Sequence, residues 1–400
     1  MTRLAQRLSV VQPSASIEIS GLAAKMRAEG IDVISLSQGE PDFETPAAIR
    51  EAAKAALDAG ATRYTDVDGT PALKQAIVEK FRRDNGLAYR TDEISVGAGG
   101  KQVIFNALMA LVDPGDEVIF AAPHWVSYPD MVRLAGGTPV AIRCPAESGF
   151  KLTPAKLEDA ITPRTRVLIL NSPGNPSGAG YTRDELVVLA AVLLDHPDIV
   201  VLTDDIYEYL VYDDFEFCTL AEVEPRLKSR TLTINGVSKG HAMTGWRIGF
   251  GAGPADLIKA MAVMQSQTTS NPASVSQAAA VVALGQPLDD IRARNVIFAE
   301  RRGLCFDALN ATRGLTCRMP EGAFYLFPNC EGLLGRRTPT GETIDDDKAL
   351  ARYLLTTARV AVVPGSAFGL PGHFRISFAS DTERLLEACR RIDEACLALQ

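Results

Sequence analysis

Short and almost uninterrupted runs of apolar residues recur along the first 290 residues of the chain, and many of their members are β-branched. They predict strands at 117–122, 166–171, 198–204, 231–235 and 246–251. Continuous apolar strands of this kind are typical of a sheet that is covered on both faces. Helical stretches separate the runs, so the pattern predicts an α/β fold with a largely parallel sheet.

Capping residues mark the beginnings of several helices. Thr45-Pro46 and Thr70-Pro71 each predict a threonine N-cap followed by proline as the first helical residue. Thr182 and Glu185 have the spacing of a capping box, in which each side chain satisfies a backbone N–H at the helix start. The predicted helices alternate with the predicted strands, as parallel connections require.

The sequence pattern changes near residue 290, where a charged helix predicted over 289–310 leads into shorter apolar runs. Strands are predicted at 315–319, 323–327, 360–364 and 374–379, and a final helix is predicted to begin near Thr382. We therefore predict an N-terminal segment, 1–45, that joins a small domain, a large domain, 46–290, and the small α+β domain itself, 291–400.

Composition narrows the class of protein. A net charge of −8 argues against a nucleic-acid binder, which would carry a basic face. The longest apolar run, 186–194, is too short to cross a bilayer, and the first residues lack the apolar core of a secretory signal. The seven cysteines show no C-x-x-C spacing and the four histidines are scattered, so no metal site is expected. We expect a cytoplasmic protein with no nucleic-acid or membrane partner.

A glycine-rich stretch follows the strand that is predicted to end at Val96. Gly97, Gly99 and Gly100 precede a helix predicted to begin at about Lys101. Free backbone N–H groups and the positive end of the helix dipole would then point at one spot, which suits a phosphate group. The spacing differs from the G-x-x-x-x-G-K-[S/T] loop, and such a stretch taken alone is more often only a turn.

Two further predicted strands lead into polar residues. Asn175-Pro176 follows the strand at 166–171, and Asp204 closes the next strand, with Tyr207 shortly after it. The carboxyl end of a parallel sheet is where α/β domains bind ligands, and a carboxylate buried there requires a positive partner. Taken singly, Asn175 is a turn residue and Asp204 is a helix N-cap or half of a surface ion pair.

The stretch S-K-G-H-A-M-T-G-W-R sets Lys239 and Arg247 among small and apolar residues. Lys239 is interpreted as a surface lysine with a buried stem, a point charge for an anion, or an amine nucleophile whose pKa is lowered by burial and a nearby cation. Arg247 can bind a phosphate at the glycine turn bidentately. An amine, a carboxylate and a phosphate cradle together indicate pyridoxal 5′-phosphate.

The ordered set of motifs resembles the class I aminotransferases. The matching motifs are Asn175-Pro176-Ser177-Gly178, Asp204-x-x-Tyr207, Ser238-Lys239, Met243-Thr244-Gly245-Trp246-Arg247-x-Gly249 and Phe374-Arg375-x-Ser377. The resemblance covers nearly the whole chain, from Gly39-Glu40-Pro41-Asp42-Phe43 to the final helix, and the G-G-K-Q loop is most similar to that of bacterial aspartate aminotransferases. It implies the type I fold of pyridoxal-phosphate enzymes, with a mostly parallel seven-stranded sheet in the large domain and a smaller α+β domain.

The resemblance also implies roles for the polar residues. Lys239 would hold the cofactor as a Schiff base and carry a proton during the reaction. Asp204 would pair with the ring nitrogen, Asn175 and Tyr207 would hydrogen-bond the phenolic oxygen, and Trp125 would stack on the ring face. Taken alone, Trp125 is more often a core aromatic residue.

Other residues would anchor the phosphate and the substrate. The resemblance assigns the phosphate to Gly99, Gly100, the backbone of Lys101, Ser238 and Arg247, with Tyr64 reaching in from a second subunit. Arg375 would bind the α-carboxylate of the substrate, and Gly39 would lie over the site. A shared site of this kind implies a homodimer that acts on L-amino acids and 2-oxo acids.

The choice of amino acid depends on a second carboxylate. One branch of the family uses an arginine from the partner subunit, and the matching region, 265–274, contains none. The other branch is thought to use the lysine of the G-G-K-Q loop with a hydroxyl near the N-terminus, here Lys101 and Ser16. L-aspartate and 2-oxoglutarate are therefore the first expected pair, with alanine, aromatic amino acids or prephenate as alternatives. Relatives active on prephenate carry a basic residue where Gln12 stands, which weakens that alternative.

Two positions depart from the family pattern. Gly236 stands where several relatives carry a hydroxyl for the phosphate, so that contact is expected to be lost. Gly240-His241 replaces the more usual Ala-Tyr or Ala-Phe after the lysine, which would loosen the loop or alter the pocket rim. Neither His241 nor His373 occupies a catalytic position of the family.

Three other classes of protein compete with an aminotransferase. A C–S β-lyase or an α-decarboxylase would use the same lysine and aspartate. A ligand sensor would carry a DNA-binding domain, but the roughly 45 residues before the large domain show no basic helix-turn-helix pattern. A purely structural protein leaves the ordered set of cofactor motifs unexplained.

Overall fold

The computed structural model describes residues 2–11 and 15–400, with side chains described for 2–11 and 19–400. The helices are α1 Ala15–Ala28, α2 Ala47–Asp58, α3 Pro71–Asn85, α4 Gly100–Leu111, α5 Tyr128–Leu134, α6 Pro154–Ala160, α7 Arg183–Asp195, α8 Leu220–Val223, α9 Ala255–Ser266, α10 Ser274–Gly285, α11 Asp289–Ala311, α12 Asp347–Tyr353 and α13 Thr382–Leu397. The strands are β1 Ile34–Ser35, β2 Ile94–Gly97, β3 Glu117–Ala122, β4 Thr138–Arg143, β5 Thr165–Asn171, β6 Val200–Asp204, β7 Thr231–Gly236, β8 Gly249–Ala252, β9 Tyr325–Leu326, β10 Val360–Ala361, β11 Val363–Pro364 and β12 Phe374–Ser377.

In the described part of the chain, seven strands form one sheet in the order β2-β8-β7-β6-β5-β3-β4. The strands from β4 to β7 run parallel, and β8 is antiparallel to both of its neighbours. The predicted α/β fold with a mostly parallel seven-stranded sheet is confirmed. Asn171, at the end of β5, is the register partner of Asp204, which is the partner of Ile234. Polar side chains therefore meet at one edge of the sheet.

Helices cover both faces of this sheet, as the continuous apolar runs predict. Along β5, Val167 and Ile169 belong to a core cluster with α4 and α9. The alternate residues Leu168 and Leu170 belong to a second cluster with α6 and α7. Since successive side chains of a strand point to opposite faces, β5 is buried from both sides.

The capping residues explain where two of the helices begin. Thr70 Oγ1 accepts a 3.3 Å hydrogen bond from the backbone N–H of Leu73. At α7, Thr182 and Glu185 form the predicted capping box. Gly86 ends α3 with φ of 64°, a left-handed conformation that glycine adopts without strain.

The C-terminal part of the chain contains two small sheets. β1 pairs in parallel with β10, so Ile34 lies beside Val360 and the N-terminal segment joins the C-terminal part. The second small sheet has the order β11-β12-β9. Helices α11 and α13 pack over these strands around Phe298 and Ile392. The division at residues 45 and 290 stays a prediction.

Three local predictions are wrong. Thr45 does not cap α2, because its hydroxyl donates a 2.6 Å hydrogen bond to the carbonyl of Ala242 instead. The strand predicted at 246–251 begins only at Gly249, since Arg247 has a left-handed backbone with φ of 56°. The strand predicted at 315–319 is reduced to a single bridge between Thr316 and Asn329.

Among the described helices, none is both long and apolar enough to cross a membrane. Within the same described residues, no group of three or more histidine, cysteine, aspartate or glutamate side chains is placed to hold a metal ion.

Candidate active site

A cavity of about 320 Å³ opens at the carboxyl edge of the large sheet. Most of the predicted site residues line it together: Gly39, Gly100, Lys101, Trp125, Asn175, Asp204, Tyr207, Ser238, Lys239, Arg247 and Arg375. Motifs that are scattered over more than 300 residues of sequence are therefore brought to one place by the fold.

One end of the cavity is a cradle made by a glycine turn and an arginine. Gly99 has φ of 87° and directly precedes α4. A Cβ atom on Gly99 would lie 2.5 Å from Nη2 of Arg247, and one on Gly249 would lie 2.1 Å from the backbone nitrogen of Gly100. Glycine is therefore required at both positions for the close approach of guanidinium, turn and strand. Backbone N–H groups at a helix start beside a guanidinium suit a phosphate dianion.

Lys239 occupies the centre of the cavity. It follows β7, and its Nζ atom donates a hydrogen bond to the carbonyl of Gly39. Part of the side chain is exposed to the cavity, but protein atoms surround the amine closely. Burial, followed by the positive charge of Arg375, lowers the pKa of Lys239 to about 8. Roughly a tenth of the amine is therefore unprotonated at pH 7, in the form that a nucleophile requires.

Asp204 lies at the end of β6 and is buried. Burial raises the pKa of its carboxyl to about 6, although a hydrogen bond from Tyr128 opposes the rise. The hydroxyl of Tyr128 donates to Oδ2 of Asp204 at 2.6 Å, and Nδ2 of Asn171 donates to its backbone carbonyl at 2.7 Å. Such a carboxyl group would be stabilised as an anion by a cationic ring nitrogen.

Arg375 comes from β12, on the opposite side of the cavity from Asp204's strand. Its guanidinium donates to Oδ1 of Asn175 at 3.0 Å and to the carbonyl of Ser37 at 2.6 Å. It also lies over the ring of Tyr325, with the guanidinium carbon 4.5 Å from the ring centroid. Its Nε atom has no hydrogen-bond partner among the described residues. The buried guanidinium of Arg375 is thus fixed by these hydrogen bonds and still has an N–H group available for a ligand.

Tyrosines that the sequence analysis missed complete the cavity wall. Tyr128 holds Asp204, and the hydroxyl of Tyr325 is 2.8 Å from that of Tyr207. Tyr128 stands three positions after Trp125, in the stretch P-H-W-V-S-Y, so its closeness in sequence to the expected ring-stacking residue is the one signal that could have indicated it. Tyr325 carried no comparable signal, because its pairing with Tyr207 joins residues that are 118 positions apart.

The two departures from the family pattern have steric explanations. A Cβ atom on Gly236 would lie 3.0 Å from the carbonyl oxygen of Ile248, so a hydroxyl-bearing residue does not fit without a shift. A Cβ atom on Gly240 would lie 2.9 Å from the ring of Tyr209. His241 is buried behind the loop and makes an edge contact with the same ring. Gly236 and Gly240 therefore leave room for the close approach of Ile248 and Tyr209.

Tyr64 is not among the described residues that line this cavity, and it is 90% exposed. Ser16 lies in α1, but its side chain is outside the described residues, as is Gln12 altogether. Lys101 does line the cavity, and its ammonium lies 4.7 Å from the centroid of the Trp125 ring.

The arrangement fits pyridoxal phosphate. The cradle at Gly99 and Arg247 has the donors for its phosphate, and Lys239 offers an amine of lowered pKa. The buried carboxyl of Asp204 offers a partner for a cationic ring nitrogen. A fold of this type with this donor set defines a pyridoxal-phosphate enzyme.

Comparison with known proteins identifies the family. The family model for class I and II aminotransferases matches residues 31–392. The chain belongs to this family and is an aminotransferase that depends on pyridoxal phosphate.

Two individual relatives are similar to the chain over nearly its whole length. The aspartate/prephenate aminotransferase of Cereibacter sphaeroides is 54% identical over 399 residues, covering 100% of both chains. The aspartate aminotransferase of Rhizobium meliloti is 56% identical over 392 residues, covering 98% of this chain and 96% of the relative.

Solved structures agree with this comparison. A crystal structure of an aspartate aminotransferase from Rhizobium meliloti superposes with a TM-score of 0.97 at 55% identity, with full coverage of both chains. The aspartate aminotransferase of Thermus thermophilus with maleate superposes with a TM-score of 0.91 at 41% identity, covering 99% of this chain and 100% of that one.

Proposed function

We propose that this aminotransferase moves the amino group of L-aspartate to 2-oxoglutarate. The supporting observation is a cavity with two cationic groups available to carboxylates, Arg375 and Lys101. An amino acid with two carboxylates uses both cations, whereas alanine uses one. The names of the Rhizobium meliloti and Thermus thermophilus relatives support the same substrate.

The two cations differ in what they can recognise. Arg375 is buried and forked, which favours bidentate binding of a carboxylate at a fixed angle. We assign it the α-carboxylate common to all amino acids. Lys101 is exposed at the cavity and carries a mobile point charge. We assign it the distal carboxylate, together with Ser16, so discrimination between dicarboxylic and neutral substrates rests on a flexible group.

Each chain residue then has a defined task. The bound cofactor supplies an electron sink for the substrate's α-carbon. With pyridoxal phosphate bound, Lys239 would hold the cofactor. Its amine, whose pKa is lowered by burial, would accept a proton from the substrate and return it near neutral pH. Asp204 keeps the ring nitrogen protonated, and Asn175 and Tyr207 bind the phenolic oxygen.

The remaining residues fix the cofactor and the substrate in place. We assign the phosphate to Gly99, Gly100, the backbone of Lys101, Ser238 and Arg247. Trp125 stacks on the ring, and Gly39 lies over the substrate. Holding the reacting groups in the correct orientation lowers the activation free energy, by on the order of 7–11 kcal/mol in favourable cases.

We further infer a homodimer in the cytoplasm, with the site completed by Tyr64 of the second subunit. The exposure of Tyr64 is consistent with this assembly, because a ring that is 90% exposed is available to a second subunit. The three-part division at residues 45 and 290 belongs to the same proposal, with the N-terminal segment and the small domain able to close over the cavity.

A second candidate is transamination of prephenate. It is favoured by the name of the Cereibacter sphaeroides relative, an aspartate/prephenate aminotransferase. Prephenate also carries two carboxylates, so it could use the same pair of cations. Alanine, aromatic amino acids and a C–S lyase reaction are the remaining alternatives.

The test is a visible absorption spectrum of the purified holoenzyme during successive additions. L-aspartate should bleach the visible band of the bound cofactor, and 2-oxoglutarate should restore it. L-alanine, L-phenylalanine and the amino product of prephenate serve as comparisons under identical conditions. Bleaching by neutral amino acids alone would overturn the aspartate proposal. Release of a thiol, pyruvate and ammonia from an amino acid with a β-thioether group, without an acceptor, would favour a lyase.

A further inference from the structure

The C-terminal end of α3 contacts a turn that leads directly into the cavity. We call the contacting residues the α3 clamp: Lys80, Asp84 and Asn85 on the helix, and Glu208 and Tyr209 on the turn after β6. The turn is short, since the N–H of Glu208 donates to the carbonyl of Asp205 at 2.9 Å. Asp204 lies directly before this turn and Tyr207 lies within it. The α3 clamp therefore contacts the segment that carries both residues.

The ionic part of the α3 clamp is a closed triangle. Lys80 forms an ion pair with Glu208 and donates a 2.7 Å hydrogen bond to Oδ1 of Asn85. Nδ2 of Asn85 donates to the second carboxylate oxygen of Glu208 at 3.1 Å. All three side chains are buried, and Lys80 has no exposed surface at all. Two sides of the triangle are directed hydrogen bonds. The third is a close ion pair between Lys80 and Glu208, in which Oε1 of Glu208 has no hydrogen-bond partner among the described residues.

The aromatic part of the α3 clamp reaches the loop that follows Lys239. The hydroxyl of Tyr209 donates to Oδ2 of Asp84 at 2.5 Å, which fixes the ring. The ring then fills the space where a side chain of residue 240 would begin, 2.9 Å from the position of a Cβ on Gly240. His241 packs edge-on against it, with ring centroids 5.7 Å apart. The glycine after the lysine is thus matched to Tyr209.

A buried ion pair is a costly way to pack a helix against a turn. Removing two charges from water is offset only by good geometry, and apolar residues of similar volume are often at least as stabilising. What the two hydrogen bonds and the ion pair add is a fixed orientation of the turn relative to the helix. Here that orientation concerns the turn with Asp204 and Tyr207 and, through Tyr209, the loop with Lys239.

We propose that Lys80 and Glu208 are positioning residues for the transamination reaction, which hold the Tyr207 turn and the Lys239 loop in register with each other. The proposal rests on the proposed function, because it assigns the two segments to one cofactor. Neither side chain lines the cavity, so both act through their neighbours. A displaced Tyr207 hydroxyl would no longer stabilise negative charge on the phenolic oxygen. The cofactor's attached nitrogen would then hold its proton more tightly.

The test is the double variant Lys80→Met/Glu208→Met, which removes both charges and leaves none buried alone. Its holoenzyme, without substrate, is titrated from pH 5 to 10 while the visible absorbance of the cofactor is recorded. We expect the midpoint to rise by about 1 pH unit and kcat to fall about tenfold with little change in KM. An unchanged midpoint together with an unchanged kcat overturns the proposal.

A matched control separates positioning from stability. Glu117 forms a partly buried ion pair with Arg164 at the start of β3, away from the cavity. The variant Glu117→Met/Arg164→Met should change the thermal midpoint of unfolding and leave the spectral midpoint unchanged. A spectral shift of equal size in the control would show that any loss of stability moves the midpoint, and would also overturn the proposal.

Two further measurements cover the other outcomes. If the double variant does not fold, Glu208→Gln keeps the shape and removes the charge, and it should raise the midpoint by a smaller amount; a wild-type midpoint in that variant overturns the proposal. If the wild-type protein shows no visible band with pyridoxal phosphate, the proposed function itself fails. A normal wild-type titration with unmoved variants defeats only the positioning role.

Discussion

The hydroxyl of Tyr128 donates a 2.6 Å hydrogen bond to Oδ2 of Asp204 inside the protein. Tyr128 begins α5, and Asp204 ends β6, so the bond ties a helix start to the carboxyl edge of the sheet. It is the main interaction that opposes the rise of the Asp204 pKa caused by burial. The bond therefore keeps this carboxyl group available as an anion.

Tyr128→Phe should raise the pKa of Asp204 above its value of about 6. One hydrogen bond to a charged group is worth about 1.5–3 kcal/mol, so the rise should be on the order of 1 unit. The affinity of the cofactor-free protein for pyridoxal phosphate falls as Asp204 becomes protonated, and in the variant this decline should begin at higher pH. Equilibrium titrations from pH 5 to 8 measure it. Tyr181→Phe, at a buried tyrosine that bonds the N–H of Leu152, is the control and should leave the profile in place.

Lys239→Met should change how the stability of the cofactor-free protein depends on pH. The folded-state pKa of Lys239 is lowered from 10.5 to about 8. Between these values the unfolded chain binds the proton and the folded protein does not, so wild-type stability rises with pH by at most about 3 kcal/mol from this group. The variant lacks this rise. The thermal midpoint of unfolding of the variant should therefore fall relative to that of the wild type as the pH is raised from 7 to 10. The exposed Lys259→Met is the control, and a pH-independent difference at Lys239 would contradict the prediction.

Arg375→Lys should lower kcat/KM for every amino acid by about a hundredfold, mainly through KM. Lysine keeps the charge but loses the planar fork that binds a carboxylate at two points. The bonds to Asn175 and Ser37 would also be lost or rearranged. Steady-state kinetics with aspartate and alanine, alongside circular dichroism as a check on folding, measure the effect. An equal KM for wild type and variant would exclude Arg375 as the α-carboxylate site.

Lys101→Met should weaken aspartate selectively. Its ammonium lies beside Trp125 at the cavity, where only a substrate with a distal carboxylate can use it. We expect kcat/KM for aspartate to fall about fivefold and that for alanine to change less than twofold, because an ion pair at an exposed site contributes at most about 1 kcal/mol. Equal losses for both substrates would show that Lys101 serves the cofactor rather than the distal carboxylate.

Tyr64→Ala should weaken pyridoxal phosphate binding in the dimer without destabilising the protomer, since the side chain is 90% exposed. Mixed dimers decide which subunit Tyr64 serves. A hybrid of a Tyr64→Ala subunit and a Lys239→Ala subunit has one site with an intact lysine. If Tyr64 acts across the interface, that site receives an intact tyrosine and recovers normal affinity. If the hybrid shows only the weakened affinity, Tyr64 acts within its own subunit.

Sequence patterns predicted the central strands closely and the peripheral ones poorly. β3 was predicted at its exact bounds, because a strand buried on both faces is continuously apolar. β4 was missed, since this edge strand, T-P-V-A-I-R, is only partly buried and begins with threonine and proline. β9 and β11 lie within the strands predicted at 323–327 and 360–364, but each has only two residues, so the predicted bounds are too long.

The residues of the candidate site also differ in how well the sequence predicts them. Residues within contiguous motifs, such as Asn175 and Lys239, were found because each motif carries its own chemistry. Contacts between distant segments were not found. Nothing near Thr45 reveals that its hydroxyl bonds to the carbonyl of Ala242, and nothing near Gly240 reveals the ring of Tyr209. Packing partners of this kind depend on the folded chain rather than on local pattern.

The pairing of β1 with β10 sets the order in which the protein can be completed during synthesis. Ile34 leaves the ribosome early, but its partner Val360 is made only when the chain is nearly finished. The large sheet contains no strand beyond β8, so it can assemble before β10, the partner of β1, has been synthesised. Gly39, whose carbonyl accepts a hydrogen bond from Lys239, lies within the N-terminal segment, shortly after β1. A chain that ends before residue 360 therefore lacks the strand that pairs with β1, so the segment that brings Gly39 to Lys239 is not anchored there.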